Sequence, residues 1–256
     1  MVMRVKGHNG YAPCRMCKIT GVRVPNQPRS PYYVPLDRSR HPDSMPERYD
    51  PEDLPLRTHE EMLRHGREVQ EASTQAEEDR LSRLYGVKGV PILSHLHSLT
   101  FPLSFPYDFM HLIWENTIKN LVLHWTGEFK GLGEGEEEYE LSPDVWKAIG
   151  QATAAAGKTI PAAFGSAPPN PEKDKSACTA DSWSLWTLYI GPVLLARRFK
   201  NRKYYDHFVI LVNLLNLCLQ FEMSDLDIEE VRAGFVGWVQ TYEKCVLDGL
   251  DDNPDF

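Results

Sequence analysis

The chain has 256 residues, of which 42% are hydrophobic, and a formal net charge of -8. That apolar share can build a core in one large domain or two small ones, which excludes a disordered tail. The acidic balance excludes a uniformly basic, phosphate-neutralising surface, because nonspecific DNA affinity rests on Lys and Arg contacts.

Residues 1–58 are rich in Pro, Gly, Arg and Tyr with little periodicity, as in Val24-Pro25-Asn26-Gln27-Pro28, and need a metal or a covering domain to order them. Basic residues concentrate here: Arg4, Lys6, Arg15, Lys18, Arg23, Arg29, Arg38 and Arg40 stand against Asp37 alone in the first forty positions. Any DNA contact is therefore expected on this segment. At Thr58 a helical signature starts, with Thr58 as N-cap and Glu61 three residues on, and it runs to Tyr85 before Gly86 and Gly89. Its sparse apolar positions, Met62, Val69, Leu81 and Leu84, predict a solvated helix with a narrow docking stripe.

Pro91 to Pro106 reads as an extended or loop path. One amphipathic helix is predicted over Asp108–Trp125, where Met110, Ile113, Trp114, Thr117, Ile118, Leu121 and Val122 recur at helical spacing. Gly131, Gly133 and Gly135 lie among carboxylates with no strand-to-helix pattern, so residues 127–140 read as a surface loop and not a phosphate cradle. Ser142-Pro143 opens the next helix, to Ala156. After the Pro-rich stretch 167–171 come three more helical segments, Thr179–Arg198, Tyr204–Met223 and Asp225–Leu247, the last with Asp225 as N-cap and an apolar stripe of Ile228, Val231, Phe235, Trp238, Val239 and Tyr242. The predicted fold is mainly α: an irregular, zinc-knuckle-like segment (1–58) followed by a multi-helix domain (59–256), with loops near 86–107, 127–141 and 157–178.

Five cysteines show no secreted-framework spacing, and Met1 to Gly10 lacks a signal peptide's apolar stretch, so the expected compartment is reducing and intracellular. Phe208–Phe221 is too short to cross a bilayer and is interrupted by Asn213, Asn216 and Gln220, so no membrane partner is expected. Cys178, Cys218 and Cys245 are isolated and read as buried thiols. No GxSxG elbow supports a hydrolase triad.

Two constellations carry chemistry. Cys14-Arg15-Met16-Cys17 is a CxxC pair whose thiolates can reach one tetrahedral zinc, with His8, His41 and, in reserve, His59 as further ligands. A redox pair and an accidental pair of thiols are the rivals. Asp108, His111 and Glu115 lie at helical spacing and could hold a hard cation such as magnesium or do acid and base work. The bland alternative is a helix start, with Asp108 as N-cap.

The string Gly7-His8-Asn9-Gly10-Tyr11-Ala12-Pro13-Cys14-Arg15-Met16-Cys17 resembles the GHxGxxxCxxC segment of CACTA-type (EnSpm-like) transposases. Tyr33-Val34-Pro35-Leu36 with His41-Pro42 is similar to a later segment of that family that ends in a histidine. Asp108-Phe109-Met110-His111 with Glu115-Asn116 resembles its DxMHxxxxN helix. The resemblance implies a ribonuclease-H-like core in which three carboxylates hold two magnesium ions, with the zinc segment as an insertion held by Cys14, Cys17, His41 and, alternatively, His8. It places the first two catalytic aspartates before the GHxGxxxCxxC string, whereas no Asp precedes Asp37 here, and it leaves Glu115 as the candidate third carboxylate, with Asp108 or Glu222 as alternatives. The implied protein is a truncated or transposon-derived fragment without autonomous DNA cleavage, nuclear or else cytoplasmic, with DNA or a longer transposase copy as partner. Its alternatives are a non-enzymatic DNA- or protein-interaction module and one part of a composite, magnesium-dependent transposase.

Overall fold

A computed structural model describes residues 2–7, 10–23, 32–39, 41, 45–129 and 137–248. The chain divides into two compact units, between Pro106 and Tyr107. The sequence reading put its boundary at 58/59; by contacts, the helices of residues 59–85 fall with the N-terminal segment. Among the described residues the architecture is mainly helical, and pairing of extended backbone is confined to isolated bridges.

In the first unit the irregular chain is tied by four such bridges, Val5 with Val87, Cys17 with Leu56, Val22 with Tyr33 and Asp37 with Arg48. Helix α1, His59–Gln70, starts in a full capping box: the Thr58 hydroxyl accepts from Glu61 N and the Glu61 carboxylate accepts from Thr58 N. Where one charged segment was expected there are two helices. Thr74 accepts from Glu77 N and caps α2, Gln75–Tyr85, so the chain leaves helical geometry between them. Gly86 ends α2 at φ +71, a left-handed cap suited to glycine. Met62 and Val69 are buried as read, but Leu84 is exposed. The small core is Met3, Met62 and Phe101, flanked by Val5, Leu93, Leu99 and Phe105.

In the second unit the helix expected after Asp108 is present but not uniformly α. Its first part, Met110–Thr117, is π-helical and runs directly into α3, Ile118–Trp125. The Ile118 amide bonds the carbonyl of Ile113, five residues back. Asn116 Nδ2 donates to His111 O at 2.5 Å, and Thr117 Oγ1 to Leu112 O at 2.9 Å, across the same wide turns. Ile113, Trp114, Ile118, Leu121, Val122 and Trp125 are buried, whereas Met110 is exposed.

Helix α4, Pro143–Ala156, is capped by Ser142 with Pro143 in its first turn. Thr179 caps α5, Ala180–Leu185, which continues through π-helical Trp186–Ile190 into α6, Gly191–Leu194. Helix α7, Arg202–Cys218, is followed by α8, Asp225–Asp248. The cap of α8 is Ser224 and not Asp225: Ser224 Oγ accepts from Asp227 N at 3.2 Å and Asp227 Oδ2 accepts from Ser224 N at 2.7 Å. Helix α8 lies so close to α7 that a Cβ on Gly234 would stand 2.3 Å from Leu214. The core gathers Trp125, Trp146, Trp183, Trp186, Phe208 and Trp238 with the aliphatic faces of these helices. Cys178 is buried as expected, but Cys218 and Cys245 are only half-buried. The glycines of residues 130–136 lie outside the described residues. Among the described residues, no helix is long and apolar enough to cross a membrane.

Candidate functional sites

The CxxC turn is built from both ends. Its amides point inward: Met16 N and Cys17 N donate to Cys14 Sγ at 3.3 and 3.2 Å. Its carbonyls point outward to Arg57, whose Nε donates to Cys14 O and Cys17 O at 3.1 Å each and whose amide donates to Met16 O at 2.9 Å. The Cys17 thiol is pushed upward first by its hydrogen bond with the Cys14 side chain and then by burial. Two sulfurs this close cannot both ionise without a compensating cation. A divalent ion that replaces the protons supplies it, and amides aimed at a sulfur favour its anionic form.

These features fit half of a zinc ligand set. Among the described residues no third His, Cys, Asp or Glu completes a group able to hold a metal. His41 Nε2 lies 2.7 Å from Tyr33 Oη, and its pKa is lowered by burial and then by the nearby Arg38 charge. His59 Nδ1 accepts from Phe101 N at 3.0 Å. His8 lies outside the described residues.

The basic segment is less available to a polyanion than its composition suggests. Arg38 is 2% exposed and donates to Thr20 Oγ1, Tyr49 Oη and Met45 O. Arg15 donates to Pro106 O, Arg4 to Lys88 O, and Lys18 pairs with Glu61 at 3.0 Å. Arg29 and Arg40 lie outside the described residues. Tyr11 and Tyr32 meet edge to face, with Arg83 over both rings and Arg23 over Tyr32.

In the second unit Asp108 and His111 form a close pair. Asp108 Oδ2 lies 2.7 Å from His111 Nδ1, and Asp108 Oδ1 accepts from His111 N at 3.2 Å. The carboxylate thus orients the imidazole and caps the start of the helix at once, leaving Nε2 to meet another group. The His111 bond holds the Asp108 carboxyl below its ordinary range. Glu115 does not join them in a metal-binding group; its carboxylate stands 3.8 Å from Lys119 Nζ. Glu222 is exposed between α7 and α8.

No protein-family model, curated protein or solved structure matches this chain.

Two features escaped the sequence reading. Arg57 gives no local signal, because its acceptors lie 40 and 43 residues away. The buried imidazoles of His124 and His207 sit among Tyr139, Tyr242 and Trp238, with His124 Nε2 2.8 Å from Tyr242 Oη. Their only sequence signal was a histidine on an otherwise apolar helix face.

Proposed function

We propose that this chain is the zinc-binding and helical portion of a CACTA-type transposase or of a protein derived from one, and that it does not cut DNA unaided. Zinc, on this reading, is structural and held by Cys14 and Cys17, with His41 or His8 as the further ligands that the resemblance implies. The observation that carries the reading is the inward turn of the Met16 and Cys17 amides onto Cys14 Sγ, with Cys17 hydrogen-bonded to the same side chain. An accidental pair of thiols has no need of that arrangement, whereas a metal-binding knuckle does. The ordered family-like strings at 7–17, 33–42 and 108–116 supply the family.

The nuclease part of the reading assigns one carboxylate to this chain, Glu115, with Asp108 or Glu222 as alternatives. Two-metal strand cleavage needs three, because the ions together activate the attacking oxygen and stabilise the leaving one. Zinc content by mass spectrometry, on the purified chain and on Cys14→Ser, tests the first claim: one zinc per chain in the former and none in the latter is expected. Magnesium-dependent cutting of a defined duplex by the chain alone would overturn the second. A composite enzyme would instead cut only when supplied with a polypeptide carrying the upstream aspartates, and Glu115→Gln would abolish that cutting.

A further inference from the structure

The backbone of the CxxC turn is held by groups remote from it in sequence. Three of its carbonyls, those of Cys14, Met16 and Cys17, accept from a single residue, Arg57, which uses its side chain for the outer two and its backbone amide for the middle one. The Arg57 side chain is 6% exposed, and its Nη1 reaches on to Tyr85 O at 2.7 Å, the end of α2. Space for it is kept by Gly86: a Cβ there would stand 2.3 Å from Ala12 O and 3.0 Å from Arg57 Nη2. The amide bond to Met16 O and a second bond, Lys18 N donating to Pro55 O at 2.7 Å, together make the antiparallel bridge between Cys17 and Leu56. The guanidinium therefore joins three segments that are remote in sequence, at the place where the two sulfurs converge.

We infer that Arg57 is the positioning residue of the Cys14–Cys17 centre, the outer-shell group that fixes the turn so that both sulfurs face one metal ion. The inference rests on the zinc reading above. Its physical content is the fork of the guanidinium. One rigid planar group shares its Nε–H between the Cys14 and Cys17 carbonyls and sends Nη1 to Tyr85 O, whereas an ammonium of equal charge carries its donors in no fixed direction on a flexible stem. Because the N–H of a trans peptide points opposite to its carbonyl, holding Met16 O outward turns Cys17 N in toward Cys14 Sγ, while the guanidinium draws the two ends of the turn, Cys14 O and Cys17 O, to one point. Without the fork, the same four-residue turn has other conformations open to it, and metal binding must then order it. Outer-shell partners of metal ligands are typically worth about 10- to 100-fold in affinity.

The test compares the full chain with Arg57→Lys and Arg57→Met, each stripped of metal by chelation and titrated with zinc and with cobalt. Both variants are expected to bind zinc roughly 10- to 100-fold more weakly, with a changed visible cobalt spectrum reporting an altered ligand geometry. Failure of lysine to restore affinity marks the fork and not the charge as what matters. Circular dichroism of the metal-stripped chains supplies the readout for fold. If Arg57→Met does not fold, Arg57→Lys decides, since it keeps both the buried alkyl stem and the charge. A folded variant with wild-type zinc affinity and cobalt spectrum overturns the inference while leaving the zinc reading intact. A wild-type chain that takes up neither metal overturns both.

Discussion

His207 and Trp238 each bond the backbone of the other. His207 Nε2 lies 3.0 Å from Trp238 O, Trp238 Nε1 donates to His207 O at 3.1 Å, and the two rings stack with centroids 4.6 Å apart. Because Nε2 faces a carbonyl, it is the protonated nitrogen of the imidazole. This exchange fastens α8 to α7, and Tyr242, stacked on Trp238 and bonded to His124, extends the fastening to α3.

Trp238→Ala removes the ring, its donor and the stack together, leaving His207 O buried without that partner. The expected cost is about 3–5 kcal/mol, in the range of large-to-small changes in a core. Urea unfolding followed by tryptophan fluorescence would measure it. A loss below about 1 kcal/mol, the scale of a surface change, would show that α8 is held elsewhere.

The helices with local signals were legible in the sequence, and their locality is the reason. Thr58 with Glu61, and Ser142 with Pro143, announce their ends within three residues, and both helices start there. Ser224 and Asp225 are equally good cap residues in isolation, and only the mutual bonds with Asp227 settle on Ser224. The π-helical turns at 110–117 and 186–190 had no signature, since widening a helix by one residue per turn leaves the apolar recurrence almost unchanged. At the candidate metal centre the cysteine spacing was plain, while Arg57 was invisible because spacing rules do not reach across forty residues.

Stability should fall in mild acid because of His124. Burial holds this imidazole down to about 4, against an ordinary value of 6.5. Between those values the unfolded chain binds a proton that the folded chain refuses. Stability is therefore complete above about pH 6.5 and is lost as the pH drops toward 4, by up to roughly 3 kcal/mol. Burial lowers His207 as well, in the same direction. Denaturant midpoints measured across this window for the wild type and His124→Gln should give a shallower slope for the variant. Equal slopes would mean that His124 is protonated while folded.

Gly86→Ala should damage the first unit through the backbone. Its φ of +71 is a left-handed conformation that costs a non-glycine residue roughly 1–3 kcal/mol. The new Cβ would also stand 2.3 Å from Ala12 O, a backbone atom with little room to retreat. Gly127→Ala provides the contrast: φ is +67, but the nearest atoms are the movable carboxylate of Glu140 at 3.2 Å. Both should lower the denaturation midpoint, Gly86→Ala by clearly more, and a reversed order would refute the steric argument.

The Asp108–His111 pair can be tested without any assay of activity. Asp108 is held below the ordinary carboxylate range, first by the His111 side chain and then by the His111 amide. His111→Ala deletes the first contact and keeps the second, so the Asp108 carboxyl should rise part of the way back, as followed by carbon-detected NMR titration. Global stability should barely change, because both side chains are more than half exposed and such pairs contribute little. His111→Asn separates hydrogen bonding from charge, since its amide can still donate to the carboxylate but cannot be protonated. If Asp108 stays low in His111→Asn and rises in His111→Ala, a hydrogen bond alone suffices to hold the carboxylate; a rise in both variants would show that the imidazole's charge is what holds it.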